Sequence, residues 1–397
     1  MSSTSTHGAW ERLARAVATA PEVLGVHGRE HPPAELAEAY DYWAQVVTFG
    51  LRREFHYGDP RHPMFHRIGL DTKIGFDNPD NVYEIAKIDP ARPYRVIGTR
   101  GDARFLEFSV SVGFPGVVVP PRTVSKLDTT EMDVGDDGTI ELFVGGEPRP
   151  RNWLAVDDEA TSVLVRQVFG RWGPDDEPGD FRILCDDGWD GEPDAVPDPE
   201  ETAQRIDRTA HFVETQVRYW IDYVEGLIDR IEANSFESPG LQGRELVQVN
   251  AARALFCWGL WDLGTDQALV VEVDAPPPGA YLGFHLNNYW LQSLDYVGRV
   301  TSLNADQARV DDDGVIRYVL AHADPGVPNW LDVAGHPWGA MVFRTALSPE
   351  AAQPTTRLVA LDDVRVALPA DTPVVDAQAR RAQIRERRAH VASRFRW

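Results

Sequence analysis

Apolar residues recur along this chain with two different periods, and the change from one to the other divides it. In "PPAELAEAYDYWAQVVTFGLRREF", Leu36, Tyr40, Trp43, Val47 and Leu51 fall three or four residues apart, the spacing of one helical face. The prolines stand at the start, where a missing N–H is harmless. A longer run, "PEETAQRIDRTAHFVETQVRYWIDYVEGLIDRIEAN", repeats that period with Ile206, Ala210, Val213, Val217, Trp220, Val224 and Ile231. A further helix is expected over 245–260. Elsewhere the period is two: Leu106, Phe108, Val110 and Val112 point one way, while Glu107, Ser109 and Ser111 point the other. These read as half-buried strands. Short strands separated by "DDG", "VGGEPRP", "APPPG" and "ADPGVP" suggest antiparallel sandwiches of jelly-roll type, and no helix alternates with each strand as a parallel α/β sheet would need.

The pattern occurs twice. "YRVIGTRGDARFLEFSV" (94–110) aligns with "VVEVDAPPPGAYLGFHL" (270–286) at an offset of 176, each a strand, a glycine-containing turn and a second strand. Leu106 precedes Gly138 of "DDGTIELFV" by the same interval that separates Leu282 from Gly314 of "DDGVIRYVL". "NWLAVDDEATSVLVR" (152–166) and "NWLDVAGHPWGAMVFR" (329–344) follow at 177, and "FRILCDDG" matches "RLVALDDV" at 176. The helical stretches "YWAQVVTFGL" and "YWIDYVEGLI" also lie 177 residues apart. Five matches in one order imply two copies of one helix-plus-sheet unit, roughly 33–188 and 210–364.

The fold class expected is therefore α+β, with two jelly-roll-like antiparallel β-sandwich units from an internal duplication, each preceded by amphipathic helices. The expected divisions are a helical segment over 1–76, a first sandwich over 77–188, a helical connector over 189–265, a second sandwich over 266–370 and a basic tail over 371–397.

Composition narrows the function classes. With 397 residues and 43% hydrophobic content the chain has material for more than one core. Its formal charge of −23 argues against nucleic-acid backbones and anionic membranes as partners. No apolar run has the length of a membrane span, and the N-terminus lacks the apolar core of a signal peptide, so a cytoplasmic protein is expected. Cys185 and Cys257 sit in apolar runs and read as buried reduced thiols. The tail "VVDAQARRAQIRERRAHVASRFRW" carries seven Arg against one Asp and one Glu. It reads as an amphipathic helix docking on the acidic body or on a partner subunit, which would give a homo-oligomer, with Val391, Phe395 and Trp397 as anchors.

"DNPDNVYEIAKID" followed by "YRVIGTRGDARFLEF", with "NWLDVAGHPWGAMVFR" toward the C-terminus, resembles the domain of unknown function 1214 family over most of the chain from about residue 75. The resemblance implies cytosolic bacterial proteins with jelly-roll-like sandwiches and carries no established reaction. Where members of that family often have polar residues between two glycines, this chain has Pro337 and Trp338 between Gly335 and Gly339, after His336.

The duplication separates shared residues from divergent ones. Trp153 and Trp330, Arg166 and Arg344, Gly138 and Gly314 are shared and read as structural. The loop "AVDDEAT" of the first copy becomes "DVAGHPWGA" in the second, and the face Phe105, Glu107, Ser109, Ser111 becomes Tyr281, Gly283, His285, Asn287, Tyr289. The second face combines aromatic walls with hydrogen-bonding groups, as binding surfaces do. A pocket is expected at the mouth of the second sandwich. In it His285 or His336 would be the general acid or base, Asn287 and Asn288 orienting groups, and Tyr281, Tyr289, Trp290 and Trp338 the walls.

Other constellations are weaker. Pro60 and Pro63 break any helical metal face through His56, Asp59, His62 and His66, and "DDGWD" (186–190), though similar to a magnesium-binding aspartate motif, reads as a strand end. No phosphate loop or Gly-x-Ser-x-Gly elbow occurs, so neither cofactor nor metal is expected. The function expected is a cofactor-independent enzyme of hydrolase, lyase or isomerase type acting on a small, partly apolar metabolite. The alternatives are a non-catalytic small-molecule or carbohydrate binding protein, or an oligomeric scaffold.

Overall fold

Residues 5–118, 121–186, 197–237, 255–348 and 350–395 are described by the computed structural model of the protein. Two β-sandwiches follow one another with the same strand plan. The first contains β1 (His66–Ile68), β2 (Asn81–Lys87), β3 (Tyr94–Gly101), β4 (Phe105–Val112), β5 (Arg122–Asp128), β6 (Thr139–Val144), β7 (Trp153–Leu154), β8 (Ser162–Val168) and β9 (Pro178–Cys185). The second contains β10 (Ser235–Phe236), β11 (Leu255–Asp262), β12 (Gln267–Asp274), β13 (Tyr281–Asn287), β14 (Ser302–Asn304), β15 (Val315–Ala321), β16 (Trp330–Asp332), β17 (Trp338–Ala346) and β18 (Thr355–Ala360).

Each sandwich pairs a junction sheet with an outer sheet. The junction sheets run β1-β2-β8-β4-β5 and β10-β11-β17-β13-β14, and the outer sheets β7-β6-β3-β9 and β16-β15-β12-β18. The orders are superimposable strand for strand, so the duplication read from the sequence is the architecture. All pairings are antiparallel except those of the short "NWL" strands, β7 with β6 and β16 with β15.

That motif recurs because its asparagine staples two strand ends. Asn152 Nδ2 donates to the carbonyls of Asp133 and Glu141 at 2.8 and 2.9 Å, and Asn329 Nδ2 to those of Arg309 and Arg317 at 2.8 and 3.1 Å. The following indoles donate to the Gly145 and Ala321 carbonyls at 2.9 and 3.1 Å. Each bond adds a side-chain donor to a backbone carbonyl and ties the motif to its neighbours.

Between its sheets each sandwich holds its own core, Leu106, Phe108, Val110 and Val165 in the first and Leu282, Phe284, Met341 and Phe343 in the second. A third core lies between the sandwiches. There α3 (Pro33–Leu51) and α4 (Pro199–Ile228), introduced after α1 (Thr6–Ala18) and α2 (Ala20–Leu24), fill the space between the junction sheets. The stripe expected on α4 is buried throughout. On α3 the buried face is Ala39, Tyr42, Trp43, Val46 and Phe49, while Leu36 and Tyr40 are exposed. The helix is apolar on more than one side, and packing against α4 and the second sandwich selects the side.

Two further expectations are corrected. Residues 238–254 lie outside the described residues, but 255–260, expected as the end of a helix, belong to β11, which runs between β10 and β17 in a sheet covered on both faces. An apolar run buried on both sides carries no period that separates strand from helix. Accordingly the second sandwich includes β10 and β11, N-terminal to residue 266, and β1 joins the first sandwich from within the segment expected to be helical. Neither cysteine forms a disulfide, and Cys185 is half-buried rather than buried. Of "DDGWD", only Asp186 lies within the described residues.

After α5 (Val364–Ala367), α6 (Ala377–Phe395) docks on its own chain across both sandwiches, with Val391 buried; Trp397 lies outside the described residues. Its grip is polar as well as apolar, through Arg380, Arg387 and Arg394 at heptad spacing. Arg380 Nε donates to Asp324 at 2.9 Å. Arg387 donates to the Tyr296 carbonyl, the Ser302 carbonyl and the Ser302 hydroxyl at 3.3, 3.0 and 2.9 Å. Arg394, fully buried, makes no side-chain hydrogen bond and lies 4.8 Å over the Trp172 ring and 5.6 Å over Phe169. Arg387→Met strands three acceptors at roughly 1–3 kcal/mol each, offset in part by relief of the buried guanidinium's desolvation, and is expected to cost about 3 kcal/mol net. Arg394→Met strands none; relief of the guanidinium's desolvation is offset by loss of its stacking on Trp172 and Phe169, and the variant is expected to stay within about 1 kcal/mol of wild type. Urea unfolding midpoints at unchanged slope measure both.

Candidate functional site

The period-two reading left Glu107 and Ser109 on a face pointing away from the first core, and the fold turns that face toward the second sandwich. Both residues are fully buried. The matching face of β13 looks back across the junction, and Phe105 and Val168 pack against Tyr281 and Ala346.

At the centre of each junction sheet stands one of the two repeated arginines. In the first, Arg166 lies opposite Glu107 in the β8–β4 ladder and donates to its carboxylate at 2.5 Å and to Ser109 Oγ at 3.1 Å. Burial raises the Glu107 carboxyl above its ordinary range against the pull of Arg166. In the second sheet Arg344 lies opposite Gly283. The strand carries no carboxylate at that position; a Cβ at Gly283 would fall 2.1 Å from the Tyr281 hydroxyl and 3.1 Å from Asp80 Oδ2, a carboxylate brought in from the segment before β2.

Arg344 is buried without a carboxylate in contact among the described residues. Its Nε donates to His285 Nε2 at 2.9 Å, its Nη2 donates to the Phe76 carbonyl, and its guanidinium lies 4.5 Å over the Phe76 ring and 5.2 Å over Phe256. Burial lowers its pKa, against Tyr83, Tyr281, Asp77 and Asp80. Those two carboxylates are engaged elsewhere. Asp77 accepts from Ser293 N and Oγ at 2.9 and 2.6 Å, and Asp80 from Tyr281 Oη, Asn304 Nδ2 and Trp172 Nε1 at 2.6, 2.8 and 2.9 Å. Burying a charge is costly unless it is matched, and among the described residues Arg344 is hydrogen-bonded only by neutral groups, with Asp77 and Asp80 acting on it from outside hydrogen-bond contact.

Beside Arg344 opens a cavity of about 140 Å³. Its walls are mostly apolar: Ile74 and Phe76 from the segment before β2, Ile85 and Leu164 from the sheet, Phe114 from the loop after β4, and Trp220 from α4. Arg166 and Arg122 also border it, but Arg122 is paired with Asp157 and Glu159, each at 2.6 Å. The segment 74–77 holds an unusual backbone. Gly75 has φ +50° with Trp220 where a Cβ would be, 2.0 Å away. Phe76, at φ 34°, donates its N–H to the carbonyl of Leu291, at φ 55°, over 2.6 Å. Left-handed backbone at bulky residues costs roughly 1–3 kcal/mol each and collects at ligand sites.

The eight residues expected to form one pocket are divided among three places. Tyr281 and His285 face the junction. His285 is neutral, its pKa held well below the ordinary value by burial and then by Arg344, and its Nδ1 is buried with no hydrogen bond. Asn287, also buried, donates to the Ala340 carbonyl at 3.4 Å.

Asn288 and His336 border a separate surface cleft of about 510 Å³ beside α3. Both hold Glu38, His336 Nε2 at 2.8 Å and Asn288 Nδ2 at 3.2 Å, while His336 Nδ1 lies 3.1 Å from the Val333 carbonyl. Burial works to lower the His336 pKa, but the hydrogen bond and charge of Glu38 outweigh it and hold it above the ordinary value. Both ring nitrogens are thereby occupied.

Tyr289, Trp290 and Trp338 pack under the helices. Tyr289 Oη donates to Glu225 at 2.6 Å, Trp290 Nε1 to the Glu35 carbonyl at 3.1 Å, and Arg29 lies 5.2 Å over both Tyr289 and Trp338. The eight residues therefore do not line one pocket: two of them border the cleft beside α3, and the cavity bordered by Arg344 lies between the sandwiches. The reading of Arg344 as structural missed its place at that cavity. Glu107 set against Gly283 in the repeat alignment is the signal that marks it. Among the described residues no His, Cys, Asp or Glu cluster is arranged to hold a metal ion. None of their helices is long and apolar enough to cross a membrane.

No family model matches the chain, and no curated protein matches it. Among solved structures it is similar to an uncharacterized protein from Burkholderia cenocepacia, at a TM-score of 0.83 and 28% identity over 91% of this chain and 98% of that one. A protein from Vibrio parahaemolyticus is more distant, at a TM-score of 0.45 and 13% identity over 81% of this chain and 98% of that one. The first likeness extends to the whole two-sandwich fold.

Proposed function

We propose that the protein binds a small, largely apolar anion in the cavity between its two sandwiches, with Arg344 holding the charged head. The observation that carries this reading is the unmatched guanidinium of Arg344 at the wall of an apolar cavity, where the equivalent Arg166 has a carboxylate partner. An anion entering the cavity supplies the missing charge, and its apolar part covers Phe76, Phe114 and Trp220.

Binding is favoured over acid–base catalysis because neither histidine expected to act is free. His336 is held at both ring nitrogens, and His285 receives a hydrogen bond from a guanidinium on the nitrogen that would accept a proton.

Benzoate and benzenesulfonate as anions, benzyl alcohol as a neutral probe and benzylammonium as a cation test the reading. Saturable rises in melting temperature, together with a change in tryptophan fluorescence, are expected for the anions alone. An equal response to benzyl alcohol, or none to any anion, would falsify it.

A further inference from the structure

We infer that the ligand is a monocarboxylate with a compact body of about six carbons, its planar head lying edge-on against the free end of the Arg344 guanidinium. This rests on the binding reading above and specifies the head and size of its ligand.

The head follows from which parts of Arg344 remain open. A guanidinium offers five N–H groups in one plane. The Nε–Nη2 edge is taken by His285 and the Phe76 carbonyl, and the ring of Phe76 lies over the group at 4.5 Å with that of Phe256 at 5.2 Å. What remains is the far end of the group, the N–H bonds of Nη1 and the second N–H of Nη2, approached in the plane. Two oxygens in that plane, as a carboxylate presents them, accept two parallel N–H bonds. A tetrahedral head directs its remaining oxygens out of the plane, toward the rings.

The charge follows from the count of unmatched cations at the cavity. Arg166 and Arg122 are already paired with Glu107, Asp157 and Glu159, which leaves Arg344, among the described residues, as the lining cation without a carboxylate in contact; Asp77, which also borders the cavity, is held by Ser293. Asp77 and Asp80 lie near enough to act on Arg344, so a second negative charge on the ligand meets repulsion in a poorly screened interior. A monoanion is matched, and a dianion is not.

The size follows from the volume. The cavity of about 140 Å³ is close to the roughly 150 Å³ of an apolar engineered cavity that takes up benzene. Besides the charged groups of Asp77, Arg122, Arg166 and Arg344, Ser111 and Ser162 on the sheet wall are polar points that a small polar substituent on the body would meet.

Titration calorimetry with benzoate, hexanoate, benzenesulfonate, phenyl phosphate and hexadecanoate tests the inference. Benzoate or hexanoate is expected to bind at least tenfold more tightly than phenyl phosphate or benzenesulfonate, and hexadecanoate to bind at least tenfold more weakly than hexanoate. Arg344→Met is expected to remove the preference for anions. Leu164→Trp, which fills the cavity and leaves the arginine in place, is expected to weaken every probe, with circular dichroism verifying that each variant is folded. If phenyl phosphate or benzenesulfonate binds best and Arg344→Met abolishes it, the carboxylate assignment is wrong and the anion pocket stands. If hexadecanoate binds best, the size assignment is wrong. If no anion binds, or Arg344→Met binds benzoate as wild type does, both the inference and the reading beneath it fail.

Discussion

Arg166→Met and Arg344→Met are expected to have opposite phenotypes although the two arginines occupy equivalent positions of the repeat. Removing Arg166 leaves Glu107 fully buried and without its cation, and breaking a buried pair in this way costs about 3–5 kcal/mol. That variant should unfold at a markedly lower urea concentration. Removing Arg344 strands the Phe76 carbonyl and His285 Nε2, at roughly 1–3 kcal/mol each, but also relieves a desolvation penalty of several kcal/mol that no contacting carboxylate repays. Its net effect on stability is expected to fall within about 2 kcal/mol of zero. Its effect on ligand is expected to be large, since two charge-assisted hydrogen bonds at about 1.5–3 kcal/mol each correspond to a hundredfold or greater loss of affinity. Arg344→Lys should recover only part, because an ammonium keeps the charge and loses the fork. Equal destabilisation by both methionine variants, with binding unchanged in Arg344→Met, would show that the two arginines are equivalent in role as well as in position.

Much of this architecture is legible in the chain because it is written twice. Asn152 and Asn329 make the same hydrogen bonds, and the α4 stripe from Ile206 to Val224 is buried as its spacing indicates. What the sequence does not specify is what covers a face once the period has defined it. Alternation separates Glu107 and Ser109 from Leu106 and Phe108, yet gives no sign that a second sandwich lies over the polar pair. Leu36 and Tyr40 fit a helical face as well as Tyr42 and Val46 do, and only the neighbours of α3 decide between them. The site is less legible for a related reason. His285 and His336 drew notice as residues gained by one copy, but β13 turns the first into the junction, while the loop before β17 carries the second to Glu38. The residue on which the binding proposal rests is an arginine common to both copies whose opposite number has changed. A shared residue is structural only if its partner is shared too.

Acid should destabilise the protein through histidines that burial keeps neutral, and the contribution can be isolated by mutation. His66 and His390 are both held down to about 3, by burial first and then by Arg53 and Arg52 for His66 and by Arg394 for His390. Their folded values lie below the unfolded value near 6.5, so the unfolded chain takes up protons first as the pH falls. Stability is therefore intact above about pH 6.5 and is lost progressively down to about pH 3, at up to about 1.4 kcal/mol per pH unit for each histidine. The buried carboxyls of Asp80, Glu84, Glu107 and Glu237 are raised by burial and act in the opposite direction over part of that range. Comparing variants removes their contribution. His66 makes no side-chain hydrogen bond and stacks on Tyr57 at 4.5 Å, so His66→Phe keeps the ring contact and removes the titration. His390 Nδ1 lies 2.8 Å from the Gly173 carbonyl, to which the amide of His390→Asn can donate. Relative to its own value at pH 7.5, the double variant is expected to gain up to about 5 kcal/mol over wild type at pH 4.5, measured from urea midpoints with constant slope. Parallel pH profiles for the two proteins would mean that these histidines are as accessible to protons in the folded chain as in the unfolded one.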